Sequence, residues 1–236
     1  MKTFKNILSV TLFFAFLGLL FYKFGGELLV PGAVKKVRPA ATEDLQEAAD
    51  KSAAKYRDNL ESAEKTAVSY EKLGRQYAEQ GNWTPAIDAL STAIEYGANS
   101  ANVHYYLGAA YANRAKETNK KEDIRQGEAH YKMALEKNPS MASAKYGLGL
   151  LTFYLKNEKQ TGISIMKALV SEQPSFYNAG FALARFYYET GEAAVALPVY
   201  ERLYDDLSKQ SKSSETTGMM ENCKANISRI RAELGK

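Results

Sequence analysis

Apolar residues recur at alternating intervals of three and four along most of the chain, the spacing that places them on one face of a helix. Ala49, Ala53, Tyr56, Leu60, Ala63, Ala67 and Tyr70 follow each other at 4-3-4-3-4-3. Thr42 can cap such a helix, and no breaker interrupts it, so one continuous helix from about 43 to 80 is expected. Met220, Cys223, Ile227, Ile230 and Leu234 step at 3-4-3-4 and predict a final helix after the polar loop Ser208 to Ser214. Strand-like alternation is almost absent, which makes the fold class all-α.

Between these ends the pattern has a longer period. Tyr70-x-x-Leu73-Gly74-x-x-Tyr77 returns as His104-x-x-Leu107-Gly108-x-x-Tyr111, as Lys145-x-x-Leu148-Gly149-x-x-Thr152 and as Gly180-x-x-Leu183-Ala184-x-x-Tyr187. The leucines lie 34, 41 and 35 apart. A second motif follows each: Ala86, Leu90, Ala93; Gly127, Tyr131, Ala134; Gly162, Met166, Leu169; Ala196, Tyr200, Leu203. Small residues let two helices approach, and large ones a turn away fill the neighbouring gap. Gly81 and Gly191 suit a tight turn after a first helix. Thr84-Pro85 reads as a cap followed by proline in the first turn of a second helix, and Pro139 and Pro174 as residues starting the next one.

These residues resemble the tetratricopeptide repeat (TPR) family, over about 67–210, in four units: 67–100, 101–141, 142–176 and 177–210. The resemblance implies a right-handed α-solenoid of about four TPR helix pairs whose concave face binds other proteins. The helix over 42–66 would precede it, and residues 211–236, a polar loop and capping helix, would cover its last apolar edge. If the family geometry holds, the groove is lined by Arg75, Asn102, Tyr105, Asn113, Tyr146, Leu150, Phe153, Asn178, Phe181, Arg185 and Tyr188. TPR domains that grip a chaperone's carboxylate tail use Lys and Asn at places held here by Glu71, Arg75, Tyr106, Ser143 and Gly147. With one usable charge among them, a tail clamp is not expected. The aromatic lining favours an extended apolar segment or a partner helix instead.

Three departures stand out. Tyr111 to Tyr131 is 20 residues against 13 for Tyr77 to Leu90, a seven-residue insertion beside the charged stretch Arg114 to Arg125. It reads as a longer solvated helix or turn, with a partner contact as the alternative. The third unit carries one extra residue and places Lys145 and Thr152 where aromatics stand in other units. Pro198, inside a second helix, should bend it.

At the N-terminus, Ile7 to Tyr22 contains no charge; Lys2 and Lys5 precede it and Lys23 follows. Asn6 through Phe24 would span about 28 Å as a helix, close to a bilayer core. The expected reading of 1–24 is a basic tail and transmembrane anchor, contacting the membrane through 7–24; a cleaved secretory signal is the alternative. The two-lysine tail favours an inner-membrane protein with an exported, periplasmic body, although Lys23, Lys35, Lys36 and Arg38 pull the other way. Gly25, Gly26, Pro31, Gly32 and Pro39 make 25–41 a linker.

Composition narrows the chemistry. Residues 1–30 hold three lysines against one glutamate, leaving 28 bases and 26 acids of the chain's 31 and 27. So neutral a body lacks the basic stripe that nucleic acid requires. One cysteine, Cys223, excludes an intramolecular disulfide and a cysteine-built metal site. His104 and His130 are far apart in sequence; the first fits a packing position and the second is expected to face solvent. Gly147-Leu148-Gly149 lies in a helical pattern and is no phosphate loop. No catalytic, metal or cofactor set is found, so neither enzyme activity nor a cofactor is expected. The expected function is a membrane-tethered scaffold or adaptor for a protein partner in a bacterial envelope complex for secretion, assembly or motility. A lipid- or small-molecule-binding transporter accessory, and a structural element self-associating through 43–80, are the alternatives.

Overall fold

The computed structural model describes residues 39–211 and 213–235. The expected transmembrane segment therefore lies outside the described residues. Contacts divide the chain into Met1–Lys55 and Tyr56–Lys236. The described residues are helical throughout, with no strand among them, and no helix among them is long and apolar enough to cross a membrane.

Helix α1 (Pro39–Glu79) begins inside the stretch assigned to a linker, ahead of the expected cap at Thr42. Proline opens a helix at no cost, because the N–H it lacks has no intrahelical partner in the first turn. Helices α2 (Trp83–Glu95), α3 (Ala101–Thr118), α4 (Lys121–Lys137) and α5 (Ala142–Leu150) follow. A π-helical turn (Leu151–Leu155) continues α5, before α6 (Lys159–Glu172), α7 (Tyr177–Glu189), α8 (Ala193–Ser208) and α9 (Ser214–Glu233).

From α2 onward, each helix packs on the next in sequence, and α3 also touches α5. The interior is a row of small clusters rather than one core, as in a solenoid. Leu90, Val103 and Leu107 form one cluster, Tyr131, Ala144 and Leu151 the next. Phe153, Met166 and Phe186 form a third, and Leu197, Leu207, Cys223 and Ile230 the last. The small residues act as expected. A Cβ on Gly74 would stand 2.5 Å from Leu90 Cγ, so α1 and α2 meet there without one. The Tyr131 ring is wedged between two glycines: a Cβ on Gly108 would lie 2.8 Å from it and one on Gly147 2.4 Å.

The turn after each first helix takes a left-handed residue. Gly81 (φ 76°) and Gly191 (φ 83°) fill that place as expected; Asn119 (φ 56°) and Asn157 (φ 58°) fill it in the middle pairs. Asparagine is one of the few residues with a side chain that tolerate this region. The insertion is shared between two helices. Tyr111 precedes Asn119 by eight residues, where Tyr77 precedes Gly81 by four; Asn119 precedes Tyr131 by twelve, where Gly81 precedes Leu90 by nine. Four residues thus lengthen α3 and three lengthen α4, each close to one 3.6-residue turn, so the packed faces keep their register.

Three local expectations need correction. Helix α2 starts at Trp83 with Asn82 as its flanking residue, so Thr84 is inside the first turn and does not cap it. Pro139 and Pro174 do not start helices. Met141 N–H donates to Asn138 O (3.1 Å) and Phe176 N–H to Gln173 O (3.0 Å), so each proline sits second in a β-turn between pairs. The stretch Arg114 to Arg125 is not wholly solvated: Arg114 forms a two-pronged pair with Asp123, Nε and Nη2 each 2.8 Å from a carboxylate oxygen. Asp123 is buried, and its bond to Arg114 holds its carboxyl below the ordinary value.

The two ends differ. Helix α9, opened by a Ser213–Thr216 capping box, covers the last pair with Cys223 and Ile230 fully buried. Burial pushes the Cys223 thiol up to about 11. Near the start of the Tyr56–Lys236 unit, Leu60, Val68, Tyr70, Leu73 and Tyr96 remain exposed.

Candidate functional site

First helices supply the candidate site because their second helices and the next pair occupy their other faces. Two neighbouring cavities lie along them. One, of about 550 Å³, is lined by Tyr146 from α5, by Asn178, Phe181 and Arg185 from α7, and by Asn222, Asn226 and Arg229 from α9. The other, of about 480 Å³, is lined by Asn113 and Lys116 from α3, by Leu150 at the end of α5 and Tyr154 in the π turn after it, and by Arg185 and Glu189 from α7. Arg185 belongs to both and joins them into one groove.

The expected lining residues divide accordingly. Tyr146, Asn178, Phe181 and Arg185 meet in the first cavity, and Asn113, Leu150 and Arg185 in the second. Arg75 and Asn102 are exposed, and Tyr105 packs on Tyr106 and Tyr131; these three lie outside both cavities. Tyr188 is engaged by α9: its hydroxyl donates to Glu233 (2.9 Å) and Arg229 lies over its ring at 4.5 Å.

Phe153 does not line the groove. It is fully buried and stacked on Phe186. The cause is the extra residue of the third pair. Lys156 N–H donates five residues back to Leu151 O (3.1 Å), so the added residue is taken up as a π turn. Phe153 then stands four residues before Asn157, as Tyr77 stands before Gly81 and Tyr187 before Gly191. It occupies the aromatic packing place that straight counting gave to Thr152, and Tyr154 takes the groove place that counting gave to Phe153.

Tyr154 was missed for that reason. Its hydroxyl donates to Glu189 (2.8 Å), and Arg185 lies over its ring at 5.1 Å. Burial and the bond to Glu189 push this phenol up to about 12. Asn222, Asn226 and Arg229 were missed because the final helix was read only for its apolar stripe. Their spacing of four and three along a polar flank of that stripe, each one residue before Cys223, Ile227 or Ile230, was the available signal.

The expectation for His130 also needs correction, whereas His104 is buried as a packing position requires. His130 does not face solvent: it lies between His104 (ring centroids 5.3 Å) and Tyr111 (5.7 Å). Nδ1 of His104 and Nδ1 of His130 are 3.1 Å apart, and Asn99 Oδ1 is 3.0 Å from His104 Nε2. An amide oxygen accepts, so His104 Nε2 carries a hydrogen and its bare Nδ1 accepts from His130. Burial, then the neighbouring His104, lowers His130 to about 4. Among the described residues no group of three or more His, Cys, Asp or Glu could hold a metal.

Comparison with known proteins bears on the fold. Residues 74–113 match the TPR repeat family model. A comparison with curated protein sequences finds no match. A thermophilic TPR protein of Thermus thermophilus is similar in structure at TM-score 0.57 and 18% identity, over 68% of this chain and 81% of that one. The protein MamA is similar at TM-score 0.53 and 20% identity, over 73% of this chain and 96% of its own. Residues 74–113 are thus similar to a TPR repeat, and the described residues have the all-helical, TPR-like solenoid fold of these structures.

Proposed function

We propose that the chain is a non-catalytic scaffold, tethered to a membrane, that holds a partner protein along the groove of α3, α5 and α7. The observation that carries this is the pair of cavities joined at Arg185, with Tyr146, Leu150, Tyr154 and Phe181 offering apolar area on rigid helices. Aromatic side chains give contact area at low entropic cost. A segment lying across both cavities would be extended or helical.

The tether rests on the uncharged run Ile7 to Tyr22. Holding the groove at a surface raises the effective concentration of a partner kept there. The two-lysine tail favours a body exported from a bacterial cytoplasm, within an envelope complex for secretion, assembly or motility; release after signal cleavage is the alternative.

Cross-linking in intact membranes, followed by identification of what is captured, tests the reading. Replacing Tyr146, Tyr154 and Phe181 together by Ala is expected to abolish capture while the helical signal persists. Undiminished capture would refute the groove assignment.

A second reading, self-association through α1, is favoured by the exposure of Leu60, Val68, Tyr70 and Leu73. Light scattering of the detergent-solubilised chain decides it: a monomer at high concentration excludes it.

A further inference from the structure

We propose that the cavity between α7 and α9 recognises acidic side chains of an extended partner segment, so that the C-terminal helix is a wall of the binding site as well as a cap. This rests on the groove reading above and specifies the chemistry of one half of it.

Charge is the first argument. Arg185 and Arg229 line this cavity from opposite walls, and no Asp or Glu lines it. The rest of its polar lining includes three asparagines, Asn178, Asn222 and Asn226. Asparagine amides both donate and accept, which suits the backbone of an extended segment. Guanidinium groups in a cavity without a lining carboxylate suit the carboxylates of a ligand, which they bind with two parallel hydrogen bonds.

Pre-orientation is the second argument. Each arginine lies on a tyrosine ring, Arg185 over Tyr154 at 5.1 Å and Arg229 over Tyr188 at 4.5 Å. Each of those tyrosines donates its hydroxyl to a glutamate, Glu189 at 2.8 Å and Glu233 at 2.9 Å. Arg229 also donates to Asn226 Oδ1 at 2.7 Å. Arg185 has a carboxylate neighbour in Glu189, but at 3.6 Å the pair is long and the arginine side chain is 52% exposed. A guanidinium held over a ring loses less freedom when a ligand arrives.

The occupant is an acidic peptide rather than nucleic acid. Two cations in a body with nearly equal acids and bases cannot follow a phosphate backbone. The volume of about 550 Å³ is that of a pocket for a few side chains.

Fluorescence anisotropy on the full-length, detergent-solubilised chain tests this. The probes are three labelled twelve-residue peptides alternating Leu with Glu, Gln or Lys. The Glu peptide is expected to bind at least tenfold more tightly than the other two, with affinity falling as salt rises. The double variant R185Q/R229Q should reduce it to the level of the Gln peptide, and N222D should weaken the Glu peptide while leaving the Lys peptide no weaker. Equal binding of the three peptides, no binding of any, or an unchanged Glu preference in R185Q/R229Q would overturn the proposal. If all three bind equally and L150A/Y154A weakens them together, the acidic subsite fails while the groove reading stands.

Discussion

Phe153 lies face to face with Phe186, ring centroids 3.7 Å apart and planes 7° from parallel. The contact joins the third helix pair to the fourth, and the π turn makes it: without the added residue Phe153 would not reach the packing place. Its neighbour Tyr154, 38% exposed, is turned to the groove instead. Phe153→Ala should therefore cost about 3 to 5 kcal/mol of stability, the usual range for a buried phenylalanine. Tyr154→Ala should cost much less and act on partner capture. Denaturant unfolding of both variants, beside capture by each, checks this opposite pattern. Similar stability losses in the two would contradict it.

The Arg114–Asp123 pair, its carboxylate buried and its guanidinium half-buried, ties the lengthened α3 to the first turn of α4. Asp123→Ala leaves a guanidinium without its partner and should destabilise by about 2 to 3 kcal/mol. The paired replacement R114M/D123L should cost less than Asp123→Ala alone, because no charge is then stranded. The Asp123 carboxyl is lowered from 3.8 by its bond to Arg114. Its stabilisation is thus complete above that value and is lost as pH falls below it. Urea midpoints of the single and double variants between pH 2.5 and 7, in roughly half-unit steps, would read both effects.

His130 gives a second, separate acid window. The folded chain holds it neutral until about pH 4, whereas the unfolded chain takes up the proton near 6.5. Between those values the unfolded state binds more protons, so stability should fall as pH drops from 6.5 towards 4. His130→Phe should flatten that portion of the curve and leave the decline below 3.8 from Asp123 in place. An unaltered slope in His130→Phe would show that His130 is not its source.

Glycines that look alike in a helical pattern should respond with opposite signs. Ala at Gly147 places a Cβ 2.4 Å from the Tyr131 ring, and a loss of about 1 to 3 kcal/mol is expected from the overpacking. Ala at Gly218, inside α9 with nothing within 4 Å of its added carbon, should stabilise by about 0.5 to 1 kcal/mol. Thermal unfolding of G147A and G218A compares the two directly.

The helical period and the recurrence of Leu-Gly with a small-large-small second motif were legible because every pair must solve the same packing problem, with a small residue where two helices touch and a large one beside it. That was enough to expect paired helices and a final capping helix. Asn119 and Asn157 were less visible, since a left-handed turn accepts either glycine or asparagine. Arg185 and Tyr146 could be assigned to the groove by counting from Leu183 and Leu148, where the count runs without interruption. Counting failed beyond Leu150, where one extra residue could be absorbed as a loop, a shift or a π turn.

What the sequence determined by itself is the set of helices and the small-large complementarity that pairs them, because both depend on neighbours within about one turn or one repeat. What the tertiary structure alone decided is which side chains share a space: Phe153 with Phe186, His104 with His130, Arg185 across a cavity from Arg229. Those pairs lie 33, 26 and 44 positions apart, and one π turn is enough to put Phe153 rather than Thr152 into the first of them.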